Sequence, residues 1–271
     1  MGSRHFGWVE PSRDRVQRLR FAGPKADGLL AGVDPAPSID MSAIVRIVDQ
    51  GPLGSCVAQA CCQVIRAAMA AKTFDVDTEW PSRLWGYQLA LAEQGTAGQD
   101  VGTANAIFFD VVAGHGFPRE SAWPYEPGNL AQNPSPTAWR AAHDQRADKS
   151  VAYHQIANFG PARSADVRRA LTAGYLVAFG TRVDGRFARG EIDAVVGPPS
   201  LTDTVGGHAM ALCGYCDQPD GSTIYKVANS WGKDWGEAGF FWMSEAYLTS
   251  PMTNDLWIVS DCVTYSDVGA R

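Results

Sequence analysis

The chain has 271 residues, 45% of them hydrophobic and 19% charged, enough to bury a sizeable core in one large domain or two compact lobes. No apolar run approaches the ~20 residues that a membrane span needs, and the start carries no apolar stretch of the secretory kind, so a cytoplasmic protein is expected. A net charge of −6 without a clustered basic face argues against nucleic acid as partner. The run from Arg13 to Arg20 reads as a solvated segment.

Residues 1–38 hold Gly, Pro and Arg without sustained periodicity and form an N-terminal arm, expected to be extended, ahead of a body at 39–271. Apolar residues recur at Val57, Cys61, Val64 and Ala68, the four and seven spacing of one helix face. Further helices are expected at 82–93, 103–114 and 164–174, the last capped by Ser164 and stopped by Gly174. After about residue 150 the character changes. Short runs rich in Val, Tyr, Phe, Trp and Ile at 175–181, 208–215, 223–229, 239–243 and 256–264 read as strands, with a hairpin turn at Asp220-Gly221. A helical lobe over about 39–150 and a strand-rich lobe over about 151–265 give the α+β class, with a cleft between lobes where ligands bind.

Six cysteines occur. Cys56 follows Gly54-Ser55 and precedes the helical periodicity, so its sulfur is expected at a helix N-terminus, where unpaired N–H groups favour a thiolate. Cys61 and Cys62 lie within the helix and read as small core residues. A thiolate nucleophile needs a base, a group that orients the base and donors for an oxyanion. His208, after two glycines at the start of an apolar run, suits the first role. Asn229, at a strand end, suits the second, with the Trp231 indole covering its bond to the imidazole. Gln50 and the Cys56 backbone N–H are the candidate oxyanion donors.

The blocks "DQGPLGSCVAQA", "GGHAMALCGY" and "NSWGKDWGEAGFFWM" resemble the signature blocks of the papain-like cysteine peptidases, in the order Gln, Cys, His, Asn. His208 and Asn229 follow Cys56 by 152 and 173 residues, near or beyond the ~130–150 usual for that family. "GHGFPRESAWPYEP" is similar to a stretch of prokaryotic members. The resemblance implies a papain-like two-lobed fold, with a helical first lobe, an antiparallel β-barrel-like second lobe and the active site in the cleft between them. It also implies a Cys56 nucleophile, a His208 base and general acid, an orienting Asn229 with Trp231 in support, an oxyanion glutamine at Gln50, and a substrate groove walled by Gly102 and Thr103 of "DVGTANAIFFDVV". Peptide-bond hydrolysis through a thioester on a peptide or protein substrate follows, with no cofactor or metal, by a monomer. An acyl transferase or amide ligase would need the same residues, and a catalytically dead binding module is the reading from another class. The chain departs from the family in Leu53, where a disulfide cysteine is usual, in Val57, where an aromatic residue is usual, and in an arm too short for a long inhibitory propeptide. The arm is expected to lie over the cleft or to brace the lobes.

His5, His115, His143 and His154 lack such a context and read as surface or packing residues. Cys213-x-x-Cys216 has no second pair to complete a metal or redox site, and a Cys216–Cys262 disulfide stays open. "DVDTEW" lacks the glycine and closing acid of a calcium loop. Phe240, Phe241 and Trp242 read as core. The segment Arg186 to Thr204, just before His208, is a candidate specificity loop; the two acids of its central "RGEIDAVVGPPS", Glu191 and Asp193, would favour basic side chains.

Overall fold

A computed structural model describes residues 4–19, 25–145 and 151–265. Among the described residues the arm, expected to be extended, carries two short helices, α1 (Arg13–Gln17) and α2 (Asp27–Leu30), and leads into a strand, β1 (Ser38–Asp40). α1 has no buried residue, as its arginines require; Arg20 lies outside the described residues. α2 buries Leu30, and β1 pairs with the later strand β4 (Thr204–Asp217). That pairing needs Gly214, because a Cβ there would stand 2.5 Å from the Ile39 carbonyl oxygen.

The helices of the first half are α3 (Cys56–Thr73), α4 (Arg83–Glu93), α5 (Asn105–His115) and α6 (Pro136–Gln145). α3 is buried on nearly every side, the mark of a helix at the centre of a fold, and ends at Phe74 in the left-handed region, φ 53°. Ser82 caps α4 by accepting the Trp85 N–H at 3.2 Å. α6 was missed although Ser135-Pro136 marks its start: Pro136 sits in the first turn and the Ser135 hydroxyl accepts the Ala138 N–H at 3.1 Å.

β2 (Val151–Ile156), α7 (Pro161–Thr172), β3 (Val177–Asp184), α8 (Gly185–Arg189), β4, β5 (Thr223–Ala228), β6 (Phe240–Ser244), α9 (Glu245–Thr249) and β7 (Thr253–Cys262) follow among the described residues. α7 begins three residues before the expected cap. Pro161 fills its first turn, where a missing N–H costs nothing, and Ser164 instead spends its hydroxyl on Tyr225 and Glu245. Among the described residues the strands form one antiparallel sheet of seven, in the order β2-β7-β3-β4-β5-β6 with β1 beside β4. It is an open sheet and not the expected barrel-like closure: among the described residues the outer strands β2 and β6 do not pair. Gly221 at φ 84° makes the β4–β5 turn.

Alternation along β4 separates two cores. Ala209, Ala211 and Cys213 belong to the core around α3, α4 and α5, whereas Met210 and Leu212 belong to the core on the other face, with α7, α9 and the aromatic group Phe187, Trp231, Trp235 and Phe241. Alanines on the α3 side keep the helix and the strand close, which brings the start of α3 beside the residues that follow His208. Among the described residues no helix is long and apolar enough to cross a membrane.

Candidate active site

Cys56 opens α3 and is completely buried. The backbone N–H groups of Ala209 and of Gly7, in the arm, donate to its sulfur, as do the first amides of α3. Burial outweighs these donors and pushes the thiol up to about 11. The helix N-terminus that sequence reasoning relies on is present, but here it faces a covered site instead of water.

His208 is also wholly buried, and its Nε2 lies 2.7 Å from Asn229 Oδ1. Asn229 Oδ1 also accepts the Ser230 backbone N–H at 2.7 Å, which fixes which end of the amide is oxygen. Nε2 therefore carries the imidazole proton, and Nδ1, which has no hydrogen-bond partner, holds the lone pair of the neutral ring. Burial lowers the imidazole pKa to about 4; the Asn229 bond opposes the shift and the positive charge of Arg4 adds to it. Trp231 stacks on the ring at 4.3 Å between centroids and 26°.

Gln50 sits on the loop before α3, bound to the Asn229 loop on both sides. Its backbone N–H donates to Ser230 O at 2.9 Å and its Oε1 accepts the Ser230 hydroxyl at 2.7 Å. With Oε1 so held, Nε2 has two protons to place: one goes to Leu53 O at 2.8 Å, the other to His5 O at 3.1 Å.

That second acceptor belongs to the arm, which runs through the cleft. Gly7 O accepts the Thr103 N–H at 2.8 Å and Val9 N–H donates to Thr103 O at 2.8 Å, a parallel bridge centred on Trp8; Trp8 N–H donates to Gly207 O at 3.0 Å. Of the expected groove residues, Thr103 bonds the arm through both backbone groups, and Gly102 lies against it, where a Cβ would stand 2.2 Å from Gly7 O. The arm's glycine is obligatory, since a Cβ on Gly7 would come within 1.5 Å of Gly54 O. Phe6 meets the His208 and Trp231 rings edge-on, and Arg4 lies over Trp231 at 5.3 Å. The arm lies in the cleft and, bonded to Thr103 of the helical half and to Gly207 of the strand-rich half, also joins the two lobes.

Sequence reasoning missed Phe6, Gly7 and Trp8, although "HFGW" placed a glycine between two large rings. It also missed Asp255, a buried carboxylate at φ 57° that accepts from Trp8 Nε1 at 3.0 Å. Elsewhere, Cys61 is buried and donates to Asn105 Oδ1 at 3.5 Å. No disulfide joins Cys216 and Cys262, which lie on β4 and β7 with β3 between them; the Cys262 thiol instead donates to Ile65 O at 3.8 Å. In the loop before His208, Glu191 pairs with Arg189 at 2.8 Å and Asp193 with Arg186 at 3.5 Å, so both acids are answered within the loop. Of the aromatic trio, Phe241 is core, while Phe240 and Trp242 lie half-buried on the other face of β6.

Residues 34–257 match the papain family of cysteine proteases. A peptidase C1-like protein of Acanthamoeba polyphaga mimivirus is 28% identical over 280 residues, covering 96% of this chain and 88% of that one. The cysteine endopeptidase RepA of Oryza sativa is 28% identical over 226 residues, 83% of this chain but 54% of the plant protein. Among solved structures, xylellain, a cysteine protease from Xylella fastidiosa, superposes with a TM-score of 0.76 at 22% identity, over 94% of this chain and 96% of that one. The family match spans most of the sequence and the fold agrees with it: this chain belongs to the papain family of cysteine proteases, hydrolases acting on peptide bonds.

Proposed function

We propose that Cys56, His208 and Asn229 are the catalytic set of this peptidase, that Gln50 and the Cys56 backbone N–H are its oxyanion donors, and that residues 5–9 hold it latent. The observation that carries the reading is the free Nδ1 of His208, on a ring whose Nε2 is engaged by Asn229, next in sequence to the Ala209 N–H that donates to the Cys56 sulfur.

With the arm out, water returns to the cleft, and the burial that raises the thiol and lowers the imidazole is relieved. The proton of Cys56 then passes to His208 Nδ1, and α3 stabilises the thiolate through its first amides. The thiolate adds to the substrate carbonyl carbon, and the oxyanion accepts the hydrogen bond that Gln50 Nε2 donates to His5 O in the closed form. His208 returns its proton to the amine as the C–N bond breaks, leaving a thioester and neutral imidazole. Water then gives a proton to Nδ1 and adds to the thioester; the collapse frees the acid, and the proton returns to the thiolate.

The test is mass spectrometry of products from a mixed peptide library, with and without a competing amine, together with labelling by a cysteine-directed epoxide. Cleavage products and a label on Cys56, both lost in Cys56→Ala, are expected. Undiminished turnover by Cys56→Ala would remove the assignment, and amide products in place of acids would make the chain an acyl transferase.

A further inference from the structure

We propose that the pocket holding Trp8 is a substrate side-chain pocket that selects tryptophan, through a hydrogen bond from the indole N–H to Asp255; the inference rests on the peptidase reading above and names its substrate class.

The pocket adjoins the sulfur directly, because Trp8 follows the residue whose N–H donates to Cys56. Its floor is made by two glycines on neighbouring strands, Gly180 on β3 and Gly207 on β4. A Cβ on Gly180 would lie 1.9 Å from Trp8 Cε2 and 2.0 Å from Nε1, and one on Gly207 would lie 2.2 Å from Trp8 O and 2.8 Å from Cε3. Any other residue at either place closes the slot, so its width is that of a flat bicyclic ring.

At its end stands Asp255, 2% exposed. Oδ1 accepts Trp257 Nε1 at 2.6 Å and the Ala106 N–H at 3.2 Å, while Oδ2 accepts the Asn105 N–H at 2.7 Å and Trp8 Nε1 at 3.0 Å. Three of these donors belong to the body of the protein and remain when the arm leaves. The fourth position then opens to the cleft as one buried acceptor wanting one donor. A phenylalanine or leucine side chain would cover it without satisfying it, which is costly inside a protein. A guanidinium would bring five N–H groups to a single acceptor in a slot floored by glycine, and would be desolvated without partners for the rest. An indole has the one donor, at the end of a ring of the right size.

The full-length Trp8→Ala variant, which empties the slot, is to be assayed on peptides differing only at one position, scanned along the sequence: Trp, 1-methyl-Trp, Phe, Arg or Ala. At one position Trp is expected to exceed Phe and 1-methyl-Trp in kcat/KM by at least about tenfold, the loss of one buried hydrogen bond. Adding Gly180→Ala should shrink the Trp-to-Ala ratio by a similar factor. A Trp peptide no better than its 1-methyl or Phe counterpart, an Arg peptide that wins, or a ratio indifferent to Gly180→Ala would overturn the proposal. If no peptide is cleaved, the peptidase reading fails on its own, and calorimetry of the same variant decides the pocket: N-acetyltryptophanamide binding more tightly than its phenylalanine analogue upholds it, and equal binding overturns it.

Discussion

Gln50 Nε2 donates to the main-chain carbonyl of His5 at 3.1 Å, so an arm carbonyl occupies the place proposed for the oxygen of a scissile amide. The neighbouring Gly7 N–H caps the sulfur of Cys56. One short segment therefore satisfies the proposed nucleophile and the proposed oxyanion donor together, and its departure would free both.

Gly7→Ala tests this with a single methyl group. The Cβ would fall 1.5 Å from Gly54 O, a clash with backbone that only movement of the arm relieves. Alkylation of Cys56 and peptide turnover should both rise, by about tenfold or more if the closed form predominates in the parent. Unchanged rates in a stopped-flow alkylation assay would show that the arm does not limit access.

Cys56→Ala and Cys61→Ala should separate chemistry from packing. The first is expected to abolish turnover with an unaltered circular dichroism spectrum. The second removes a buried thiol that donates to Asn105 Oδ1 and should cost about 1–2 kcal/mol in urea unfolding, with turnover retained. Reversal of the two outcomes would reassign the nucleophile.

The closed arm should be most secure near neutral pH. His208 titrates at about 4 when covered, against 6.5 ordinarily, so between those values the open form binds more protons and acid favours opening. Cys56 titrates at about 11 when covered, against 9.0, so the open form loses its proton first and alkali above 9 favours opening as well. Hydrogen exchange at the Trp8 and Val9 amides, corrected for intrinsic rate, should show protection falling by up to about two orders of magnitude on acidification. Flat protection from pH 7 to pH 4 would contradict the sign.

Ser230→Ala removes the hydroxyl that holds Gln50 Oε1 at 2.7 Å. The Gln50 amide would then be free to turn its oxygen towards the substrate. A fall in kcat of about ten- to a hundredfold with little change in KM is expected from a misaligned oxyanion donor. A rise in KM together with a fall in thermal stability would indicate general damage.

The candidate catalytic residues were legible because each stands where local chemistry is written in adjacent letters. Gly54-Ser55 before a helical period places Cys56, and Gly206-Gly207 before an apolar alternation places His208. The course of the arm was not, since Trp8 is set by Thr103, Gly207 and Asp255, partners 95, 199 and 247 residues away, and nothing periodic marks it. The fate of Ser164 escaped for a similar reason. Ser164 fits a cap locally, but Tyr225 and Glu245 from distant elements take its hydroxyl. Whether the sheet closes into a barrel depends on pairing between its first and last strands, which strand composition does not encode.

A plug that belongs to the same polypeptide competes with anything entering the cleft at a fixed one-to-one ratio, however dilute the protein. It divides the apparent affinity of every full-cleft competitor by one common factor. Inhibitor potencies measured on the intact chain would therefore be uniformly understated, while their rank order would be that of the uncovered enzyme.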